Sequence, residues 1–165
     1  MIAIIADTHM PRGSRRLPDR CAELLREAEA VVHAGDFWAL PALEEIEALN
    51  PRLHAVHGNV DEPALRERLP ETLAVAVGDG RRLAVIHDAG AAKGRLARLR
   101  RRFPDADAVV FGHSHMPLHE VGEGEAAGFE IFNPGSPTER RRAPRPSMGL
   151  LGCGRDGLSF RHVWL

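Results

Sequence analysis

The chain has 165 residues, 44% of them apolar and 27% charged, a balance that fits one globular domain with a real core and excludes a disordered chain. Its formal net charge of −1 removes any global electrostatic argument for a nucleic-acid or membrane partner. Cys21 and Cys153 stand far apart without metal-type spacing, which gives no disulfide framework and points to a reduced, cytoplasmic setting.

Residues 1–6 are apolar and lack a basic leader or a long hydrophobic stretch, so they read as a first strand rather than a signal peptide. No apolar run reaches the length of a membrane span. Asp7-Thr8-His9 stands at the carboxyl end of this strand. After a loop with Pro11, Gly13 and Pro18, Asp19 is expected to cap an amphipathic helix over Arg20–Ala30, whose Cys21, Leu24, Leu25 and Ala28 share a face. Val31-Val32-His33-Ala34 predicts a second strand, ending in Gly35-Asp36-Phe37-Trp38. Pro41 opens a helix over 41–49, closed by Asn50-Pro51. Leu53–His57 predicts a third strand, ending in Gly58-Asn59-Val60-Asp61, and Pro63–Arg68 a short helix. Three β-α units in succession imply a parallel sheet with right-handed crossovers.

The pattern then changes. Thr72–Val77 and Arg81–Ile86 flank Gly78-Asp79-Gly80, a strong hairpin signal. The second strand ends in His87-Asp88. A basic helix over Lys93–Phe103 follows, with Arg95, Arg98 and Arg100–Arg102 as its solvated face. A strand over Ala108–Phe111 then leads to Gly112-His113-Ser114-His115. Leu118–Val121 and Ala126–Phe132 read as strands. Asn133-Pro134-Gly135-Ser136 reads as a turn, and Met148–Cys153 with Leu158–Trp164 as a hairpin around Gly154-Arg155-Asp156-Gly157. The expected fold class is α/β: a four-layer αββα β-sandwich of mixed parallel and antiparallel sheets flanked by helices, with residues 1–165 as a single domain.

The strand ends collect Asp7, His9, Asp36, Asn59, His87, His113 and His115. In open α/β sheets the ligand crevice lies beyond the carboxyl ends of the strands, so these seven residues are expected at one edge. Carboxylates, an amide oxygen and imidazoles suit Mn, Fe, Zn, Ni or Co, and the set is too rich in nitrogen for Mg or Ca alone. Seven ligands exceed one transition ion and match two that share a carboxylate, which about 3.5–4 Å apart clamp the oxygens of a phosphoryl displacement.

The ordered blocks Asp7-Thr8-His9, Gly35-Asp36, Gly58-Asn59, His87 and Gly112-His113-Ser114-His115 resemble the signature of the calcineurin-like metallophosphoesterase superfamily. The short chain, His33-Ala34-Gly35-Asp36, Gly58-Asn59-Val60-Asp61 and Asn133-Pro134-Gly135-Ser136 resemble its small prokaryotic YfcE-type phosphodiesterase branch, to which the scaffold subunit of eukaryotic retromer is related. The resemblance implies a dinuclear phosphoesterase, most of all a phosphodiesterase, with two divalent ions, manganese foremost. Asp7, His9 and His115 would bind the first ion, Asp36 would bridge, and Asn59, His87 and His113 would bind the second. A hydroxide between the ions would attack phosphorus in line. Asp36, Asn59 and His87 would act by positioning ions and phosphate, and no residue is assigned as general acid. Val60 stands where many relatives have a histidine, and His87-Asp88-Ala89-Gly90 lacks a second imidazole, so Asp88 is expected either to replace it or to turn the loop.

Among the remaining residues, Arg12 and Asn133 are candidates for contact with a small phosphodiester or phosphoester substrate, and Arg15 and Arg16 share the loop of Arg12. His33 is expected to be packed behind the site, orienting a ligand by hydrogen bond. His54, His57 and His162 are given no catalytic role, and His119 reads as an exposed strand residue. Phe37-Trp38 reads either as packing or as an apolar rim for an aryl or nucleobase group. Phe160, Val163, Trp164 and Leu165 are a candidate self-association patch. The alternative reading is a non-catalytic interaction scaffold that keeps the fold. Retention of a coordinating atom at all seven positions favours the enzyme, because unpaired clustered carboxylates and imidazoles cost stability.

Overall fold

The computed structural model describes residues 1–78, 80–154 and 157–165. In chain order the first half gives β1 (Ile2–Ile5), α1 (Asp19–Glu27), β2 (Ala30–His33), α2 (Leu40–Leu49), β3 (Leu53–Ala55) and α3 (Pro63–Arg68). The second gives β4 (Thr72–Val77), β5 (Arg81–Ile86), α4 (Arg95–Arg102), β6 (Ala108–Val110), β7 (Leu118–Val121) and β8 (Glu130–Asn133), then β9 (Ser147–Gly154) and β10 (Gly157–Trp164). One sheet has the order β10-β9-β1-β2-β3 and the other β4-β5-β6-β8-β7. β1, β2 and β3 run parallel, as the three β-α units require, and β9 and β10 extend that sheet antiparallel. In the other sheet β5, β6 and β8 are parallel, with β4 and β7 antiparallel at the edges.

Alternation along the strands sorts the apolar residues into three cores. Ala3 and Ile5 of β1 share one with Leu25 of α1 and with Leu43 and Ile46 of α2. Ile2, Ile4 and Ala6 join Val85, Val110 and Phe132 between the two sheets. Ala84, Val109 and Ile131 pack with Leu99 of α4. The result is the expected layering: two mixed sheets face to face with helices outside. Among the described residues no helix is long and apolar enough to cross a membrane.

Several boundaries and surfaces differ from expectation for local physical reasons. Asp19 is the first helical residue of α1 rather than its cap, because Pro18 takes the capping position with no side-chain hydrogen bond. The strand expected over 126–132 starts only at Glu130: a 3-10 turn occupies Gly124–Ala126, and Gly124 and Gly128 adopt left-handed φ. The strands on either side of both expected hairpin turns pair in register, while Asp79, Arg155 and Asp156 lie outside the described residues.

Nor is the basic face of α4 merely solvated. Arg98 donates to the carbonyls of Ala89 and Ala91 at 2.8 and 2.7 Å, and Arg100 to that of Pro104 at 2.6 Å. The Arg95 and Arg100 guanidinia also stack over Phe111 and Phe129. Loop carbonyls that no backbone amide serves take the arginines instead. Of the terminal residues expected to form a patch, Phe160 belongs to the core between the sheets, and the partly buried Val163 and Leu165 pack against the helix-side core. Trp164 is 44% exposed.

Candidate metal centre

The carboxyl ends of β1, β2 and β3 from one sheet meet those of β5 and β6 from the other at one edge of the sandwich. The loops lock together through backbone bonds: Asp7 N–H donates to Gly35 O at 2.9 Å, His9 N–H to Asp36 O at 3.0 Å, and Gly112 N–H to His87 O at 3.0 Å. Between the sheets, His113 N–H donates to Asp7 Oδ1 at 3.1 Å, and His87 Nδ1 bonds Ala34 O at 2.8 Å. Such close approach demands glycine. Gly35 has φ +88°, and a Cβ there would meet Gly58 N and His87 Nδ1 at 2.9 Å, while one on Gly58 would run into the Asp36 carboxylate.

Asp7, His9, Asp36, His113 and His115 all have left-handed φ, between +47° and +69°. Five of the seven predicted ligands therefore sit in a conformation that side-chain-bearing residues rarely take, at a cost of about 1–3 kcal/mol each. The loop bonds described above hold them there.

All seven converge, in two groups. In the first, one ligand atom each from Asp7, His9 and His115 lie within 4.8 Å of one another. His115 Nε2 is 3.6 Å and His9 Nε2 4.0 Å from Asp7 Oδ1. In the second, Asp36, His87 and His113 meet within the same limit. Asn59 Oδ1 lies 3.0 Å from His87 Nε2 and 2.9 Å from His113 Nδ1. Asp36 Oδ2 reaches both groups, 3.6 Å from His9 Nε2 and 3.2 Å from His87 Nε2.

The donor set fits a pair of divalent cations. Asp7 Oδ2, both ring nitrogens of His9 and both of His115 are buried without a hydrogen-bond partner, an arrangement that costs free energy unless a ligand is bound. Burial pushes the Asp7 carboxyl up to about 7 and pulls the His115 imidazole down to about 4. At neutral pH His115 is therefore neutral and offers one ring-nitrogen lone pair, and Asp7 stands on the edge of ionisation. In the second group, burial opposes charge on both Asp36 and His87. Their mutual hydrogen bond and attraction outweigh it, lowering the acid and raising the base.

Residues behind the candidate ligands fix them. His33 Nδ1 accepts from Gly35 N–H at 3.1 Å, so its Nε2 carries the proton and donates to Thr8 Oγ1 at 3.2 Å. Its buried, neutral ring thus ties the first two ligand loops, as a packed residue behind the site should. Sequence reasoning missed Asp61, which is 3% exposed and accepts from the amides of Asp36 (3.1 Å), Trp38 (2.7 Å) and Gly58 (2.7 Å). An acid three residues after the Gly58 turn was the available signal. It also missed Ser136 and Thr138, whose hydroxyls donate to Asp7 O and Thr8 O, each at 2.8 Å.

Asn133 is fully buried. Its amide donates to Gly112 O and Ser114 Oγ and accepts from Gly135 N–H, so it shapes the His113–His115 loop from behind. Arg12 lies at the rim, its guanidinium 4.7 Å from the Trp38 ring centre, and that ring lies 6.3 Å from His9. Phe37 is packing, fully buried and stacked on His33 at 3.5 Å. Arg15 is held by Glu139 at 3.1 Å. Arg141 is exposed, yet its charge is felt at Asp7, His9 and His115.

Beside the second group opens a cavity of about 380 Å³ lined by His57, Asn59, Arg66, His87, Asp88 and Arg102. Asp88 accepts from Gly90 N–H at 2.7 Å and so turns its loop. His119 pairs with Glu130 at 2.6 Å, and His162 bonds Asn133 O at 2.8 Å; neither belongs to the two groups.

The calcineurin-like phosphoesterase superfamily domain matches residues 1–156. A probable metallophosphoesterase of Methanothermobacter thermautotrophicus is 32% identical over 157 residues, covering 92% of this chain and 84% of that protein. The solution structure of a Thermotoga maritima protein superposes with a TM-score of 0.76 at 28% identity, over 99% of this chain and 98% of that one. An archaeal phosphodiesterase has a TM-score of 0.73 at 21% identity, with 99% of each chain covered. Vps29 of Chaetomium thermophilum has 0.74 at 19%, covering 98% of this chain and 96% of that one. These last two likenesses are likenesses of fold. The matched domain and the curated relative carry the family assignment: this chain belongs to the calcineurin-like phosphoesterase superfamily, with the fold of its small Vps29-related members.

Proposed function

We propose that the chain is a dinuclear metal-dependent phosphodiesterase, acting as a single domain over residues 1–165, that cleaves P–O bonds in a small ester. The observation that supports this most is the Asp36 carboxylate, whose Oδ2 stands 3.6 Å from His9 in one ligand group and 3.2 Å from His87 in the other. In this reading Asp7, His9, Asp36 and His115 hold one ion, and Asp36, Asn59, His87 and His113 the second. Mn is the foremost candidate, with Fe, Zn, Ni and Co as alternatives. When bound, such a pair acidifies water and neutralises charge on the phosphoryl oxygens.

The chain's own contribution is placement. Left-handed backbone at five ligands and the Asp61, Asn133 and Ser136 bonds fix the donors before substrate arrives, so little reorganisation is left for the reaction. Arg12, with Trp38 beneath it, is assigned to the substrate at the first group. The cavity at the second group is assigned to an esterified group, with Arg66 and Arg102 on its wall. Asn133 enters as support rather than as a substrate contact. The superfamily supports the chemistry, and the archaeal phosphodiesterase shares the fold.

A manganese-supplemented assay on aryl phosphodiesters and monoesters tests this. Turnover that chelator abolishes, with diesters preferred, is the expected result. A folded, metal-loaded protein inert on both would favour the scaffold reading.

A further inference from the structure

His115 is fully buried, and its Nε2 faces Asp7 in the first ligand group while Nδ1 points away from it. A neutral imidazole carries one proton, so Nε2 presents a lone pair only when Nδ1 holds that proton. The side chain facing Nδ1 is Glu139, whose Oε2 is 3.6 Å away, within ion-pair range though not hydrogen-bonded. Arg15 grips the same Glu139 oxygen at 3.1 Å. The segment that carries Glu139 is clasped to the ligand loop: Ser136 Oγ donates to Asp7 O at 2.8 Å and accepts from Glu139 N–H at 3.0 Å, and Thr138 Oγ1 donates to Thr8 O. A loop more than 120 residues downstream of Asp7 thus brings a carboxylate against the outer nitrogen of a ligand histidine.

We infer that Glu139 is a positioning residue for the first ion. It draws the His115 proton to Nδ1, aims Nε2 at Asp7 and His9, and is itself held by Arg15. Imidazole ligands are commonly backed in this way by a carboxylate, and loss of such a partner weakens metal affinity by roughly 10–100-fold. Arg15 is thereby removed from the substrate-contacting arginines and becomes part of the frame. This inference rests on the two-ion reading above. It goes beyond it by giving Glu139 and Arg15 a task at one half of the centre only.

The test is manganese binding to the wild type, Glu139→Gln and Glu139→Ala, followed by isothermal titration calorimetry and electron paramagnetic resonance, with unfolding of each metal-free protein in parallel. Glu139→Ala should weaken one of two binding events by roughly 10–100-fold and leave the other in place. Glu139→Gln, whose amide oxygen can stand in the same place opposite Nδ1, should recover most of that loss. The metal-free unfolding transitions of all three should coincide. Wild-type binding of both ions by Glu139→Ala would overturn the inference, the backbone of residue 139, which also faces the ring, being then sufficient. Equal loss of both ions in both variants would overturn it as well, since that is collapse of the loop. A wild type that binds no manganese would overturn the two-ion reading itself, and so is distinct from either failure.

Discussion

Asp7, His9 and His115 are between 0% and 3% exposed and leave five nitrogen and oxygen atoms without partners. Asn59 and His113, a few ångströms away, are exposed, and the second group bonds within itself through Asn59 and through the Asp36–His87 pair. The first half of the centre has no satisfactory ion-free arrangement, whereas the second half has one. In the proposed reading, dependence on an ion for stability follows from the first half, while the cavity opens beside the second.

Asp36 is the place to break this division, because it serves both halves. Asp36→Asn should lower kcat by roughly 1,000-fold, equivalent to about 4 kcal/mol, in a steady-state assay with saturating manganese. A loss as small as that of a rim residue would show that the carboxylate is not shared.

Asp7 sharpens the division. Saturating manganese at about a hundred times its dissociation constant should stabilise the wild type by about 2.7 kcal/mol in denaturant unfolding, and chelator should remove that gain. Metal-free Asp7→Asn should equal or exceed the metal-free wild type in stability, since the neutral amide avoids a buried carboxylate that burial already pushes up to about 7. The variant should gain far less from manganese. A metal-free variant clearly weaker than the wild type would place the strain elsewhere.

Asp61 joins the Asp36 loop to the Gly58-Asn59 loop, so Asp61→Ala leaves three amides unserved and should cost about 3 kcal/mol of stability. Differential scanning calorimetry checks this. A smaller effect appears with pH. Below about 7 the Asp7 carboxyl keeps a proton that an incoming ion must displace, so manganese affinity of the first half should rise with pH and level off above 7. His115, pulled down to about 4 by burial first of all, is already neutral across that range and adds no competing proton. An affinity flat from pH 5.5 to 8 would contradict this. The smallest effect is that of His119→Ala: its partner Glu130 opens β8 beside Ala108, at the end of β6 opposite the two groups, and kcat should stay within about twofold, as for a surface pair of little energetic weight.

The convergence of the seven candidate ligands was legible in the sequence because each follows a strand end, and a parallel sheet sends such ends to one edge. The residues that hold them were not. Asp61, Ser136, Thr138 and Glu139 are ordinary loop residue types, and their partners lie up to 131 residues away in the chain. Arg15 reads like Arg12 in sequence, but one finds a carboxylate and the other an indole face. The arginines of α4 looked solvated because helical spacing says nothing of the loop carbonyls they reach. Strand ends went wrong where left-handed glycines, as at Gly124 and Gly128, break a run that is otherwise strand-like.

The most direct measurement is the manganese content and electron paramagnetic resonance spectrum of the loaded wild type beside Asp36→Asn. Two ions per chain with a spin-coupled spectrum, uncoupled or reduced to one ion by the substitution, is the predicted result. A single ion, none, or two ions without coupling in the wild type would contradict it.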